Sequence, residues 1–180
     1  VEIRGPMQDE PHFHVRDLRD AFGKHGNFAE AVRGISLSVN PGEVLGIVGE
    51  SGSGKSVGML AAIGLQSGNA RVSGSVRFRG RELIGLPNSE LRKLRGSRIA
   101  MIFQDPLSSL NPVMTVGNQL SEAILLHNKD LSKKAAMRRA EDLLALVAIP
   151  QPDRRLQQYP HEFSGGMRQR VMIAMAVAND

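Results

Sequence analysis

Eight residues, Gly49-Glu50-Ser51-Gly52-Ser53-Gly54-Lys55-Ser56, constrain this chain more than any other stretch. They lie between the apolar run Val44-Leu45-Gly46-Ile47-Val48 and a segment from Val57 to Leu65 that reads as a helix ending near Ser67-Gly68. A short continuous apolar run, set off by the turn Asn40-Pro41-Gly42, reads as a parallel strand buried on both faces. A strand entering a glycine-rich loop and a helix leaving it make an anion cradle. The glycines let the backbone curl so that N–H groups point inward, and the helix N-terminus adds its dipole. In this spacing Lys55 reaches β- and γ-phosphates and the Ser56 hydroxyl can hold Mg2+. Residues Gly49, Glu50, Ser51, Gly52, Ser53, Gly54, Lys55, Ser56 and Val57 are therefore the expected contacts of a nucleotide such as ATP. The competing reading, a glycine-rich turn with an exposed lysine, is disfavoured by the flanking strand and helix. The loop by itself does not choose among kinases, GTPases and transport ATPases.

The rest of the 180 residues bounds the class. Residues 1–11 read as a polar tail, and from His12 the pattern is strand-like. Ile35-Ser36-Leu37-Ser38-Val39 alternates as a half-buried strand does. Val72, Val76 and Phe78 line one face of another strand, Arg79-Gly80 reads as a hairpin turn, and Arg98 to Phe103 reads as a second buried strand. From about Pro106 to Pro160 the pattern is mostly helical. Ser132 is placed as an N-cap, Ala136, Ala140, Leu143, Leu144 and Val147 fall at helical spacing, and Pro150 stops the pattern. Gly166 to Ala178 reads as a final helix opened by a glycine pair. No apolar run approaches the ~20 residues of a membrane span, and no secretory signal is visible, so a membrane role would come through a partner. The chain has no cysteine, which removes disulfides, thiolate metal sites and cysteine nucleophiles. Its net charge of +5 is scattered, and Lys133, Lys134, Arg138 and Arg139 fit a solvated helix face. With 4% aromatic residues, base-stacking platforms, and so a nucleic-acid partner, are not expected.

Ser164-Gly165-Gly166-Met167-Arg168-Gln169-Arg170 is a second glycine pair at a helix N-terminus with a serine beside it, hence a second anion site. Because the first site has its own loop, a second one suggests service to the nucleotide of another subunit. This stretch resembles the signature motif of ABC ATPases, in which two domains pack head to tail around ATP. Gln104, after the strand Arg98 to Phe103, resembles the family's Q-loop glutamine, which touches Mg2+ and the attacking water and relays nucleotide state. Phe22 resembles the aromatic residue that stacks on adenine, with Phe28 as competitor and a core phenylalanine as the alternative for either. His161 and Glu162 are read as a structural pair, and Met167, Met172 and Met175 as packing residues. The wording of Phe103-Gln104-Asp105-Pro106-Leu107-Ser108-Ser109-Leu110-Asn111-Pro112 and of Tyr159 to Arg170 is similar to the oligopeptide and dipeptide importer ATPases. Met167 and Phe163 depart from the glutamine and leucine common across ABC proteins, as that group does.

The resemblance implies an α/β P-loop NTPase (RecA-like) core with an antiparallel β-subdomain and an inserted α-helical subdomain, incomplete at the C-terminus. The expected division is 12–105 for the nucleotide-binding core with its β-subdomain, 106–163 for the helical subdomain, and 164–180 for the signature and its helix. It implies catalytic roles for Lys55 and Gln104, Mg2+ held through Ser56 and Gln104, and nucleotide contacts from Phe22, Ser164, Gly165, Gly166 and Met167. It also implies a second ABC ATPase domain, in a homo- or heterodimer. Transmembrane permease subunits and, indirectly, a solute-binding protein would be partners, with the chain peripheral on the cytoplasmic face of the membrane. The family's Walker B aspartate, catalytic glutamate and switch histidine fall outside the sequence, and the expectation is a fragment that hydrolyses ATP poorly by itself. Two alternatives stay open: a non-catalytic nucleotide-binding module, and a soluble ABC ATPase acting on nucleic acid.

Overall fold

The computed structural model describes residues 11–24, 27–105 and 109–179. Most of the polar tail, Pro106 to Ser108 of the importer-like stretch and Asp180 therefore lie outside the described residues. The chain divides into two compact units, Val1–Leu91 and Arg92–Asp180.

The first unit is built on a four-stranded antiparallel sheet in the order β2-β1-β3-β4. Its strands are β1 (Phe13–Lys24), β2 (Asn27–Val39), β3 (Ala70–Phe78) and β4 (Arg81–Glu82). Val15 and Leu18 are both fully buried although three residues apart, which simple alternation forbids. A bulge at Asp17 absorbs the extra residue: the β1–β3 register shifts between Arg16 and Arg19, and Asp17 has φ 44°. Gly74 makes the bulge possible, because a Cβ there would lie 2.3 Å from the Asp17 carbonyl oxygen. Helix α1 (Lys55–Ala62) packs on β1 and β2 through Gly58, Ala61 and Ala62.

The β3–β4 hairpin turns at Arg79 (φ 49°) and Gly80 (φ 76°), as the sequence predicts. Glu82 ties it down. Its carboxylate accepts from the Ser75 hydroxyl, the Val76 amide at 2.8 Å and the Ile84 amide at 3.2 Å, and Arg77 lies 3.7 Å away. Burial pushes this carboxyl up, but the Ser75 and backbone donors together with Arg77 outweigh it and hold the group below the usual glutamate range. A depressed folded-state value means stability that is present above the unfolded value and is lost as pH falls through the folded one. Glu82→Gln is expected to lower stability by about 1 kcal/mol near neutral pH, discounted because the side chain is partly solvated. Thermal melts at descending pH should show the two proteins converging in acid, whereas a gap that persists would place the effect elsewhere.

Two expected strands are absent. Val44 to Val48 has no ladder, and Val44 and Val48 are each 95% exposed, with Leu45 at 42% and Ile47 at 44%. Arg98 to Phe103 forms only an isolated bridge between Arg95 and Ile99, and Ile102 and Phe103 are exposed. The physical reason is common to both: a parallel strand is defined by a ladder of hydrogen bonds to a neighbouring strand, and neither run has such a strand beside it among the described residues.

Helix α2 (Asn88–Leu94) leads into the second unit, where α3 (Val116–His127), α4 (Lys133–Leu146), α5 (Pro152–Arg155) and α6 (Gly165–Ala176) follow. Thr115, Ser132 and Ser164 cap α3, α4 and α6 by accepting from the third amide beyond each. The core joins Val116, Leu120 and Ile124 of α3, Ala136, Ala140, Leu143 and Leu144 of α4, Leu156, Phe163, and Val171, Met172 and Ala174 of α6. Met167 and Met175 pack against it, as their spacing suggests. Three polar devices fix the helix ends. The buried Gln119 amide bonds Asn111 N, Asn111 O and Met114 O, shaping the loop before α3. Arg170 donates to the carbonyls of Val147 and Ala148 at the end of α4. Asn179, just past α6, donates to Gly96 O and Ala123 O and accepts from Asn128.

Candidate functional site

Within the first unit, the loop from Gly49 to Gly54 delivers the chain into α1 through Gly54, whose φ of 88° and ψ of 6° are left-handed. A Cβ on Gly54 would sit 2.7 Å from the Ala31 carbonyl oxygen, so glycine is required by geometry and by contact. No side chain caps α1 and no acidic residue lies in its first turn. Its leading amides are therefore neither occupied by a cap nor opposed by negative charge, which is the condition for an anion to bind there. Lys55 folds back across the loop: its ammonium donates to Gly49 O at 2.7 Å, Glu50 O at 2.6 Å and Ser53 Oγ at 3.2 Å. A Cβ on Gly49 would approach Ser53 Oγ to 3.0 Å, so the space the loop encloses depends on its absence. Ser51, Gly52, Ser53 and Ser56 are exposed around this cradle, and Val57 is half-buried behind it. The donor set, the uncapped leading amides of α1 with one ammonium and one hydroxyl, fits the phosphates of a nucleotide with a bound divalent cation. Among the described residues no cluster of three carboxylate or imidazole groups offers a separate cation site.

The sheet separates the two candidate aromatic residues. Asp20 pairs with Val32 and Val72, and Phe22 with Ala70, so all share one face. Helix α1 covers that face, since a Cβ on Gly54 or Gly58 would touch Val32 Cγ2. Phe28 is opposite Gly23, on the other face, with the Arg71 guanidinium 3.7 Å from its ring centroid. Sequence reasoning missed Asp20. It is fully buried, its carboxylate oxygens meet no hydrogen-bond partner of normal distance and angle among the described residues, and the Gln66 side chain lies near enough to act on it. Burial pushes its carboxyl up, and Gln66 opposes this only in part. The alternation of β1 carried the signal, because a carboxylate two residues before Phe22 must share its face.

Within the second unit, Gln104 stands exposed at a bend after the extended segment ending at Phe103. Ser164 N-caps α6 with its hydroxyl 3.3 Å from Met167 N, and Gly165 and Gly166 lie exposed beside it with open space where a Cβ would be. The turn Pro160–Glu162 is fixed just upstream by Arg168, which donates to the Pro160 carbonyl at 2.8 Å. The His161 ring stacks on Tyr159, and Glu162 accepts from Tyr159 N at 2.7 Å. The expected pairing of the two is not seen: each engages Tyr159 rather than the other.

A phosphate cradle on one unit and a serine-capped glycine pair on the other define a nucleotide-binding protein of the P-loop class. The ABC transporter family pattern matches residues 32–180, and the chain belongs to that family. It is 54% identical over 170 residues to the oligopeptide transport ATP-binding protein OppD of Mycobacterium tuberculosis, covering 94% of this chain and 28% of that protein. It is 51% identical over 171 residues to OppD of Escherichia coli, covering 95% and 50%. A solved ATP-binding cassette, in a dimeric post-hydrolysis state bound to ADP and Pi, matches with a TM-score of 0.80 at 25% identity, over 93% of this chain and 69% of that one. The chain thus spans between about a quarter and half the length of these curated relatives. Among the described residues no helix is long and apolar enough to cross a membrane.

Proposed function

We propose that this chain is the nucleotide-binding portion of an ABC-type importer ATPase that drives uptake of oligopeptides, dipeptides or similar solutes. The observation that carries the reading is the intact phosphate cradle, closed by Lys55, in a chain about half identical to peptide-transport ATP-binding proteins. Gly49 to Val57 would wrap the phosphates, with Lys55 neutralising charge on the terminal groups as it grows during transfer. Ser56 and Gln104 would hold Mg2+, which would supply the remaining positive charge. Phe22, on the face α1 covers, would stack on adenine. Ser164, Gly165, Gly166 and Met167 would serve the nucleotide of a second ABC ATPase domain packed head to tail, in a homo- or heterodimer. Gln104 would relay nucleotide state toward a membrane permease, which takes its solute from a separate binding protein. The chain would sit peripherally on the cytoplasmic face of the membrane.

Reconstitution tests this reading. Full-length protein in proteoliposomes with its permease and binding protein should accumulate labelled peptide with ATP and Mg2+ and not with ADP. Salt-sensitive binding to nucleic acid together with no association with a permease would sink it.

A further inference from the structure

Beside the end of the β1–β2 and β1–β3 ladders lies a cleft that the phosphate loop does not line. Gly23 of β1 and Phe28 of β2 meet there, and Gly23 N donates to Asn69 O at 3.4 Å. The cleft has a volume of about 520 Å3 and is bordered by Lys24, Phe28, Asn69 and Arg71, within the size range of small-molecule sites. The Arg71 guanidinium carbon lies over the Phe28 ring, 3.7 Å from its centroid. Stacking of this kind fixes the guanidinium plane and leaves its N–H edge available to donate. Elsewhere on the sheet Arg19 pairs with Asp17 and Glu30, Arg77 lies by Glu82, and Arg79 donates to His12. The side chains of Arg71 and Lys24 have no ion pair or hydrogen bond among the described residues. Among the described residues the cleft therefore holds two cationic side chains with no anionic partner, one of them stacked on a ring.

We propose that this cleft binds a phosphate monoester, with Arg71 donating two parallel hydrogen bonds to its oxygens and Lys24 supplying a point charge. Charge matching selects phosphate over carboxylate. A monoester carries about −1.5 to −2 at neutral pH against the two cations, whereas a carboxylate would leave one of them unbalanced. The ring of Phe28 is already covered, so the phosphate group and not an attached base is what the cleft reads. Residues 49–57 do not line the cleft, so the group bound here is distinct from phosphates held at that loop.

The test is a titration of isotopically labelled full-length protein with phenyl phosphate and inorganic phosphate, read at the Asn69 and Ala70 amides and the Arg71 side-chain N–H. Residue-resolved signals separate this cleft from the loop at Gly49 to Ser56. A second arm measures retention on phosphatidic acid vesicles against phosphatidylcholine vesicles. Saturable shifts are expected at the cleft, weakened about tenfold or more in Arg71→Gln. Arg71→Lys, which keeps the charge and loses the fork, should fall between. Shifts in the soluble arm identify a free phosphate ester. Retention on phosphatidic acid alone, lost in Arg71→Gln, identifies a lipid headgroup with the same chemistry. No saturable shift in either arm, shifts that Arg71→Gln leaves unchanged, or equal shifts with acetate would overturn the proposal.

Discussion

Lys55→Ala should weaken nucleotide binding by about ten- to a hundredfold, the value of one charge-assisted hydrogen bond to phosphate. The expected loss is large because the side chain has two functions in the same geometry. Its ammonium bridges Gly49 O, Glu50 O and Ser53 Oγ, so removing it takes away a cation and also releases the loop that aims the amides. Titration of full-length protein with a fluorescent ATP analogue checks this, and unchanged affinity with an intact thermal melt would refute it. The same titration separates the phenylalanines. Phe22→Ala should cost about a further 1–3 kcal/mol of base stacking, and Phe28→Ala, on the opposite face beneath Arg71, should cost the nucleotide nothing.

Asp20→Val should make the protein more stable by about 1–3 kcal/mol, the cost of a buried polar group left without a partner. Valine suits the strand and the apolar face shared with Val32 and Val72. The pH dependence is opposite in sign to that of Glu82. Burial raises the folded-state value of Asp20, so the native protein holds its proton more tightly than the unfolded chain does. Stability then declines as pH rises from the unfolded value through the folded one. The advantage of Asp20→Val should thus be small in acid and reach its full size above the folded-state value. Melting curves at several pH values measure this directly, and a variant that is destabilised throughout would show that Asp20 has a partner after all.

What was legible in the sequence is what local chemistry decides. Ser132 caps a helix because a hydroxyl before a helix meets the amide three residues on. Arg79-Gly80 turns because two residues there take positive φ. The glycine loop that enters a helix at Lys55 was legible because it is written in backbone conformation. Boundaries were less so: α1 begins at Lys55 and ends at Ala62, two residues earlier and three residues earlier than its apolar pattern suggests. The buried strands at Val44 to Val48 and Arg98 to Phe103 were misread for a different reason. An apolar run states a capacity for burial, whereas burial itself depends on neighbours distant in sequence. Asp20 and the Arg71–Phe28 stack were overlooked because each becomes visible only once the register assigns residues to faces.

The exposed run from Val44 to Val48 also governs how the polypeptide behaves in a tube. It is uncharged, rich in β-branched residues and free of proline, and its backbone groups have no ladder. Such a segment is a template for pairing between molecules. Glu43 and Glu50 flank it as charged gatekeepers, and the net charge of +5 keeps copies apart. That repulsion acts over a Debye length, which shrinks from about 30 Å at 0.01 M salt to about 3 Å at 1 M. Colloidal stability of the 180-residue chain is therefore set by ionic strength, and the high-salt buffers routinely used to strip nucleic acid from basic proteins would remove the barrier that keeps it dispersed.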